Sequence, residues 1–145
     1  MDSLLLFDGD CPACSAFVRR LARHDPDRRL RIVPLRSDTG KRVLGRLGLP
    51  AGYDDSIVVL EPGGWHVQRD AFVALARHAR FPLRLMALLR LLPRRVFARL
   101  YALAARHRRQ VAPHWCALPT PAERARYRLT RDEEHIALAW IPATA

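Results

Sequence analysis

Apolar and polar residues follow one another along the first eighty positions in an order that predicts a mixed α/β fold. Apolar runs of strand length occupy residues 4–7, 30–35, 56–60 and 65–68. Apolar residues recur at helical spacing over residues 14–21, 41–47 and 71–79. The predicted order is therefore βαβαββα, in which a helical crossover links the first two strands and makes them parallel.

Residues that favour helix starts precede several of these segments. Ser37 and Asp38 stand before the second helix, and we expect Asp70 to be the N-cap of the third. Near the C-terminus, the sequence from Thr130 to Glu133 (TRDE) has the pattern of a capping box. An apolar segment, residues 136–141, follows it and predicts a further helix.

A second helical part follows residues 80–82. Residues 83–92 form one predicted helix, which Pro93 ends, and residues 94–109 form another. In the latter, apolar residues cluster on one arc, with a basic stripe beside them. The stripe consists of Arg95, Arg99 and Arg106.

The net charge of +11 comes almost wholly from one region. Residues 71–122 contain ten Arg and no acidic residue, whereas the remainder of the chain has a balance of +1. Three interpretations of the basic helices are open: they cover the core, contact an anionic membrane surface, or bind phosphates. Nucleic-acid binding is the least favoured, because no nucleic-acid-binding motif accompanies the arginines.

Length and composition are those of one domain with its own core. The chain has 145 residues, half of them hydrophobic, and need not depend on disulfides. Three cysteines are too few for a secreted disulfide scaffold. The early residues lack a signal-peptide pattern, and no charge-free apolar stretch approaches the ~18 residues of a membrane span. The predicted location is cytoplasmic, where exposed thiols are largely reduced.

Two cysteines, Cys11 and Cys14, lie where the first strand turns into the first helix. Their spacing serves zinc sites, haem attachment and redox pairs alike, but a helix start favours a dithiol–disulfide pair. The unpaired N–H groups and the dipole of the helix N-terminus favour a thiolate at Cys11. Cys11 is the candidate nucleophile, and Cys14, which we expect to be more buried, is the candidate resolving thiol. Pro12 suits the first turn, since its missing N–H costs nothing there.

Two carboxylates, Asp8 and Asp10, precede this pair. Their negative charge opposes the formation of a thiolate nearby. One interpretation is that they cap the helix and shape the loop. The other makes them catalytic, with Asp8 relaying a proton during exchange at Cys14.

The eight residues from Phe7 to Cys14 (FDGDCPAC) resemble the signature of the DCC family of thioredoxin-like proteins, to which thiol-disulfide oxidoreductase activity is ascribed. The family is named for an Asp-Cys-x-x-Cys motif, here Asp10 to Cys14, and the element order continues the resemblance to about Arg109. The resemblance implies a thioredoxin-like βαβαββα core with a C-terminal helical extension and a redox-active Cys pair. The resemblance does not imply a particular substrate, and the dithiol chemistry itself predicts a thiol or disulfide substrate, protein or small molecule. No organic cofactor is needed, because the dithiol itself carries two electrons.

We predict that the chain divides into three parts, of which the resemblance covers the first two and not the tail. Residues 1–80 are the thioredoxin-like domain, residues 81–112 a basic amphipathic helical extension, and residues 113–145 a tail that packs on the core or is partly irregular. Thioredoxin-like proteins usually place a cis-proline before the strand that faces the Cys pair, and here Ser56 stands at that point. Pro12 and Ser56 are the predicted substrate contacts, and the departure from the family pattern puts in question the backbone contact that the proline usually makes to a substrate.

A second functional hypothesis is a redox-inactive or zinc-binding interaction module that docks through its Arg-rich helices to a membrane surface or a protein partner. The missing proline favours it. Cys116 is most simply a half-buried thiol without a role, and a third redox thiol is another option. Cys116 also makes a Cys₃His zinc-ligand set with Cys11, Cys14 and His114, although His114 and Cys116 lack the spacing that zinc knuckles ordinarily have.

Overall fold

The computed structural model describes residues 1–25, 29–111 and 121–142. The strands are β1 (Ser3–Phe7), β2 (Leu30–Pro34), β3 (Val58–Glu61) and β4 (Gly64–Val67). The helices are α1 (Pro12–Arg23), α2 (Asp38–Arg46), α3 (Gln68–Ala76), α4 (Arg94–Val111), α5 (Pro121–Arg126) and α6 (Arg131–Ala139). A 3₁₀ helix, Leu83–Leu91, lies between α3 and α4.

The four strands form one sheet in the order β2-β1-β3-β4. Strand β1 runs parallel to β2, with Leu5 opposite Ile32, because helix α1 crosses between them. On its other side β1 is antiparallel to β3, and β3 forms a hairpin with β4. The predicted α/β class and the thioredoxin-like βαβαββα order are therefore confirmed.

Strand β1 is buried on both faces of the sheet, as its unbroken run of leucines indicates. Because side chains alternate along a strand, Leu5 and Phe7 pack in one cluster with residues of α1 and α3. Leu4 and Leu6 pack in a second cluster with residues of α2 and with Ala137 of α6. The sheet thus lies between two packed clusters, and α1 packs on the same face as Leu5 and Phe7.

Two of the predicted helix starts are confirmed. The Ser37 hydroxyl accepts a hydrogen bond from the Gly40 N–H over 3.0 Å and caps α2. Thr130 and Glu133 form the expected capping box of α6, in which each side chain accepts from the backbone N–H of the other residue.

The prediction that Asp70 caps the third helix is wrong. Helix α3 begins at Gln68, and Asp70 lies in its first turn. The chain enters the helix directly from β4 because Gln68, with a φ of 50°, donates its N–H to the Ser56 hydroxyl over 3.2 Å. Burial would raise the pKa of Asp70, but hydrogen bonding to Arg69 and the positive charge of that residue hold it below its ordinary value.

Helix α6 returns to the core at α2 and β2. Its Glu133 pairs with Arg31 of β2, and its Glu134 accepts hydrogen bonds from Arg42 of α2 over 2.5 and 2.9 Å. The boundaries predicted at residues 80 and 112 stay predictions. Within the described part of the chain, none of the helices combines the length and the hydropathy that a bilayer crossing requires.

Candidate functional site

The candidate site lies at the junction of β1 and α1. Strand β1 ends at Phe7, and a short turn of Asp8, Gly9 and Asp10 leads into the helix. Cys11 is the N-cap of α1, with the extended backbone (φ −90°, ψ 113°) that an N-cap requires, and Pro12 follows at the first helical position. The turn is closed by a hydrogen bond over 3.3 Å, in which the Cys11 N–H donates to the Asp8 carbonyl.

The two cysteines are connected through the helix backbone. The N–H of Cys14 donates to the Sγ of Cys11 over 3.4 Å, so a sulfur takes the place that a hydroxyl or carboxylate oxygen usually fills at an N-cap. This N–H belongs to the first turn, whose donors have no partner within the helix. A donor in that position stabilises negative charge on the Cys11 sulfur, and the helix dipole acts in the same direction.

The expected order of burial within the pair is wrong. Cys11 is buried, with 3% of its surface exposed, whereas Cys14 is half-buried. The reason is that the Cys11 side chain accepts from the first helical turn instead of extending into solvent. Cys14, one turn further, instead faces a surface groove.

This groove has a volume of about 250 Å³ and an apolar lining. Its walls are formed by α1, α3, α4 and the residue before β3. The lining residues are Ala13, Cys14, Phe17, Ile57, Phe72, Tyr101, Ala104 and Ala105. Aromatic packing holds the walls together, with the ring of Phe72 centred 5.4 Å from Phe17 and 6.2 Å from Tyr101.

The sequence did not identify most of the groove. Phe17 could be inferred, because it is three residues beyond Cys14 on the same helix face. Ile57, Phe72 and Tyr101 come from distant segments. The pairing of β3 with β1, the contact of Phe72 with Phe17 and the packing of α4 against α1 bring them beside the second cysteine. Helix α4 therefore contributes to the site as well as to the basic surface.

Ser56, a predicted substrate contact, is buried and makes hydrogen bonds inside the fold. Its hydroxyl lies 3.0 Å from the Tyr53 hydroxyl and accepts from the Gln68 N–H. Its neighbour Ile57, and not Ser56, is among the residues that line the groove. Pro12 is half-buried at the first position of α1. The assignment of substrate binding to Pro12 and Ser56 stays a prediction.

The two carboxylates shape the loop but do not cap the helix, so that part of the prediction is wrong: the N-cap is Cys11. Asp8 is buried, and its Oδ1 accepts from the Asp10 N–H over 3.0 Å. Asp10 is exposed, and its carboxylate pairs with Arg36 over 2.9 Å. A catalytic role for Asp8 or Asp10 stays a prediction.

The predicted basic stripe and the third cysteine lie away from this junction in the sequence. Arg95, Arg99 and Arg106 are exposed on α4. His114 and Cys116 lie outside the described residues, so the zinc hypothesis stays a prediction. Among residues 1–25, 29–111 and 121–142, no three His, Cys, Asp or Glu residues are grouped so as to hold a metal ion.

Comparison with known proteins links this geometry to a family. The family model described as DCC1-like thiol-disulfide oxidoreductase matches residues 5–113. The chain is 33% identical to uncharacterized protein YuxK of Bacillus subtilis over 126 residues, which cover 86% of this chain and 92% of that protein. It is 29% identical to the chloroplastic DCC family protein At1g52590 of Arabidopsis thaliana over 79 residues, 54% of this chain and 46% of that one. No solved structure matches the chain.

Proposed function

The chain belongs to the DCC1-like thiol-disulfide oxidoreductase family, and on that premise we propose that it exchanges thiols and disulfides through Cys11 and Cys14. One observation carries the proposal: the Cys14 N–H donates to the Cys11 Sγ at the start of α1. A thiolate is the attacking form of cysteine, and this donor supports one at Cys11.

The proposed reaction has two displacements. The Cys11 thiolate attacks one sulfur of a substrate disulfide, so that a Cys11–substrate disulfide forms and the other substrate sulfur leaves as a thiolate. The Cys14 thiolate then attacks the Cys11 sulfur, which forms the Cys11–Cys14 disulfide and releases the second substrate thiolate. The dithiol gives up two electrons, and its two protons leave with the products or to solvent. Oxidation of a substrate dithiol is the same sequence in reverse.

The apolar groove supports a role for Cys14 close to the substrate. A group attached to the substrate sulfur can lie against Phe17, Ile57 and Phe72 while its sulfur is near the dithiol. Such a surface favours disulfides with an apolar or aromatic neighbour over small, fully polar ones. Both a protein segment and a small molecule meet this requirement.

Trapping of the mixed disulfide tests the proposal and the order of attack. Incubation of Cys14→Ser with a disulfide substrate should accumulate a covalent adduct on Cys11, visible by mass spectrometry and reversed by dithiothreitol. Wild-type protein should resolve the same adduct, and Cys11→Ser should form little. If Cys11→Ser accumulates the adduct instead, the half-buried Cys14 attacks first. If neither variant forms one, exchange chemistry is rejected.

A second candidate function is a redox-inactive interaction module. The burial of Cys11 favours it, because a disulfide must reach that sulfur before exchange can start. So does the position of Ser56, whose hydroxyl is engaged with Tyr53 and Gln68 and which stands where thioredoxin-like proteins usually have a proline. Disulfide reductase turnover that disappears in Cys11→Ser would reject this candidate.

A further inference from the structure

The 3₁₀ helix exposes a row of leucines. Three residues make one turn of such a helix, so side chains three positions apart lie directly above one another. The row that faces the core contains Leu83 and Met86, which pack against the core cluster that holds Leu5 and Phe7 of β1 and residues of α3. A second row contains Leu85, Leu88 and Leu91, whose surfaces are 53%, 61% and 81% exposed. The third row is basic and exposed, with Arg84, Ala87 and Arg90.

Helix α4 repeats this arrangement with the spacing of an α-helix. Val96, Leu100 and Leu103, at positions i, i+4 and i+7, are exposed large apolar residues. Phe97 and Tyr101 face the other way, and their rings stack 5.8 Å apart beside Phe72. Phe97 and Tyr101 thus make the inward contacts of α4, and the row of Val96, Leu100 and Leu103 is left on the surface.

The charge that the 3₁₀ helix and α4 themselves carry has a single sign, although Asp54 and Asp55 line a pocket together with Ala98 and Arg106 of α4. Ten arginines and no acidic residue occur between residues 71 and 122. Arg94 pairs with Asp70 over 2.7 Å, but Asp70 lies on α3, before the 3₁₀ helix. Several exposed large apolar side chains in one row mark a contact surface in a folded protein.

We propose that the exposed leucines and arginines of these two helices, which we name the leucine–arginine surface, dock on an anionic phospholipid bilayer. They are Leu85, Leu88, Leu91, Arg84 and Arg90 of the 3₁₀ helix and Leu100, Leu103, Arg95 and Arg99 of α4. The leucines enter the boundary between headgroups and acyl chains, and the arginines contact the lipid phosphates and carboxylates. Nucleic acid would use the arginines but leave the leucine rows in water. A protein partner would need acidic groups opposite the arginines and an apolar face opposite the leucines, whereas an anionic bilayer offers both. The inference does not depend on the dithiol chemistry.

Vesicle co-sedimentation of the full chain tests this inference. The probes are phosphatidylcholine vesicles, alone or with about 30% phosphatidylserine, at about 0.05 M and about 0.5 M salt. We expect binding to the anionic vesicles at low salt, and at least about tenfold weaker binding to neutral vesicles or at high salt. No binding at low salt, or equal binding to both vesicles, would overturn the proposal.

Variants separate the two parts of the surface. The triple variant Leu85→Ser, Leu88→Ser, Leu91→Ser and the double variant Arg84→Gln, Arg90→Gln should each weaken binding at least about tenfold. Lys41→Gln with Arg46→Gln removes two exposed charges from α2 and should bind nearly as wild type does. Wild-type affinity in either surface variant would contradict the inference. So would a leucine-dependent dimer without vesicle binding, because a second copy would then cover the rows.

Discussion

The N–H of Cys14 donates to the Sγ of Cys11 over 3.4 Å, so the two cysteines of the motif interact before any disulfide forms. The sulfur proposed to attack a substrate is also the N-cap of α1. A helix start normally uses an oxygen for this purpose, and an oxygen cannot be oxidised to a disulfide. One atom, the Cys11 sulfur, therefore both caps α1 and carries the proposed redox chemistry. The local structure at the start of α1 thus depends on whether the thiol is reduced or oxidised.

Asp8 should act by positioning the loop. Its Oδ1 accepts from the Asp10 N–H, and the amide oxygen of Asp8→Asn can accept the same bond. We expect Asp8→Asn to keep its exchange rate within about twofold of wild type, and Asp8→Ala to lose about three- to tenfold with the hydrogen bond. The measurement is the rate of disulfide reduction as a function of pH.

Asp10→Asn is the control for this comparison, because Asp10 is exposed and its pair with Arg36 contributes little. If Asp8→Asn falls as far as Asp8→Ala and loses one limb of the pH profile, Asp8 carries a proton and the positioning account is wrong.

Filling the groove should separate substrate binding from thiol chemistry. Ala104 is exposed and lines the groove beside Cys14. Ala104→Trp should lower kcat/KM for a bulky apolar disulfide about tenfold, because the indole occupies the space that the substrate needs. Reaction of the oxidised protein with dithiothreitol should change little. Ala102→Trp is the matched control, since Ala102 is exposed on the same helix but is not among the groove-lining residues. Equal effects of the two tryptophans would remove the groove from the mechanism.

Replacing each of the two glycines of α2 by alanine should change the free energy of unfolding in opposite directions. A Cβ at Gly40 would lie 2.4 Å from the Pro34 carbonyl oxygen and 2.6 Å from that of Leu35, so α2 must move away from the end of β2. Gly40→Ala should lower the free energy of unfolding by about 2 to 3 kcal/mol, measured by urea denaturation. A Cβ at Gly45 meets nothing within 4 Å, and Gly45→Ala should raise it by about 0.5 to 1 kcal/mol. Stability at or above that of wild type in Gly40→Ala would refute the close approach.

The docking of α6 should weaken in acid. Burial would raise the pKa of Glu133, but hydrogen bonds from Thr130 and Arg31 hold it below its ordinary value of 4.5. The hydrogen bond from Arg42 lowers the pKa of Glu134 in the same way. Each folded-state pKa is thus below the unfolded one. The stabilisation is fully present above the ordinary value and is lost as the pH falls through the lower folded-state value.

Urea denaturation between about pH 7 and about pH 3 measures this effect. The double variant Glu133→Gln, Glu134→Gln should be less stable than wild type at neutral pH and should lose less stability in acid. Asp132→Asn removes an exposed carboxylate from the same helical turn and should leave the acid limb unchanged. An acid limb of wild-type steepness in the double variant would show that α6 is held by other contacts.

The order of the elements could be predicted because each strand and helix carries its own periodicity. The run at Leu30–Pro34 and the capping box at Thr130 are local patterns, and both appear in the structure where the pattern puts them. Asp70 misled the prediction because the start of α3 is set by Ser56, twelve residues before Gln68, through a hydrogen bond that no local pattern records. The 3₁₀ form of residues 83–91 was also missed, since rows of leucine suit either kind of helix.

Of the candidate site, the sequence could indicate the position of the cysteines but not their surroundings. The junction of β1 and α1 follows from an apolar run that ends at a turn. The exposure of Cys14 and the wall that Tyr101 supplies depend on how α4 packs across α1, some ninety residues later in the chain. Contacts between such distant segments leave no periodic signal in a single sequence.

The reduction potential of the Cys11–Cys14 pair tests the central claim most directly. The protein is equilibrated in glutathione buffers of increasing oxidising strength, its thiols are alkylated, and the products are counted by mass spectrometry, with zinc assayed on the same sample. Our account predicts a reversible two-electron transition in metal-free protein that is absent in Cys11→Ser. A pair that forms no disulfide at any potential, together with stoichiometric zinc that is lost in Cys11→Ser, would contradict it and make the motif a structural metal site.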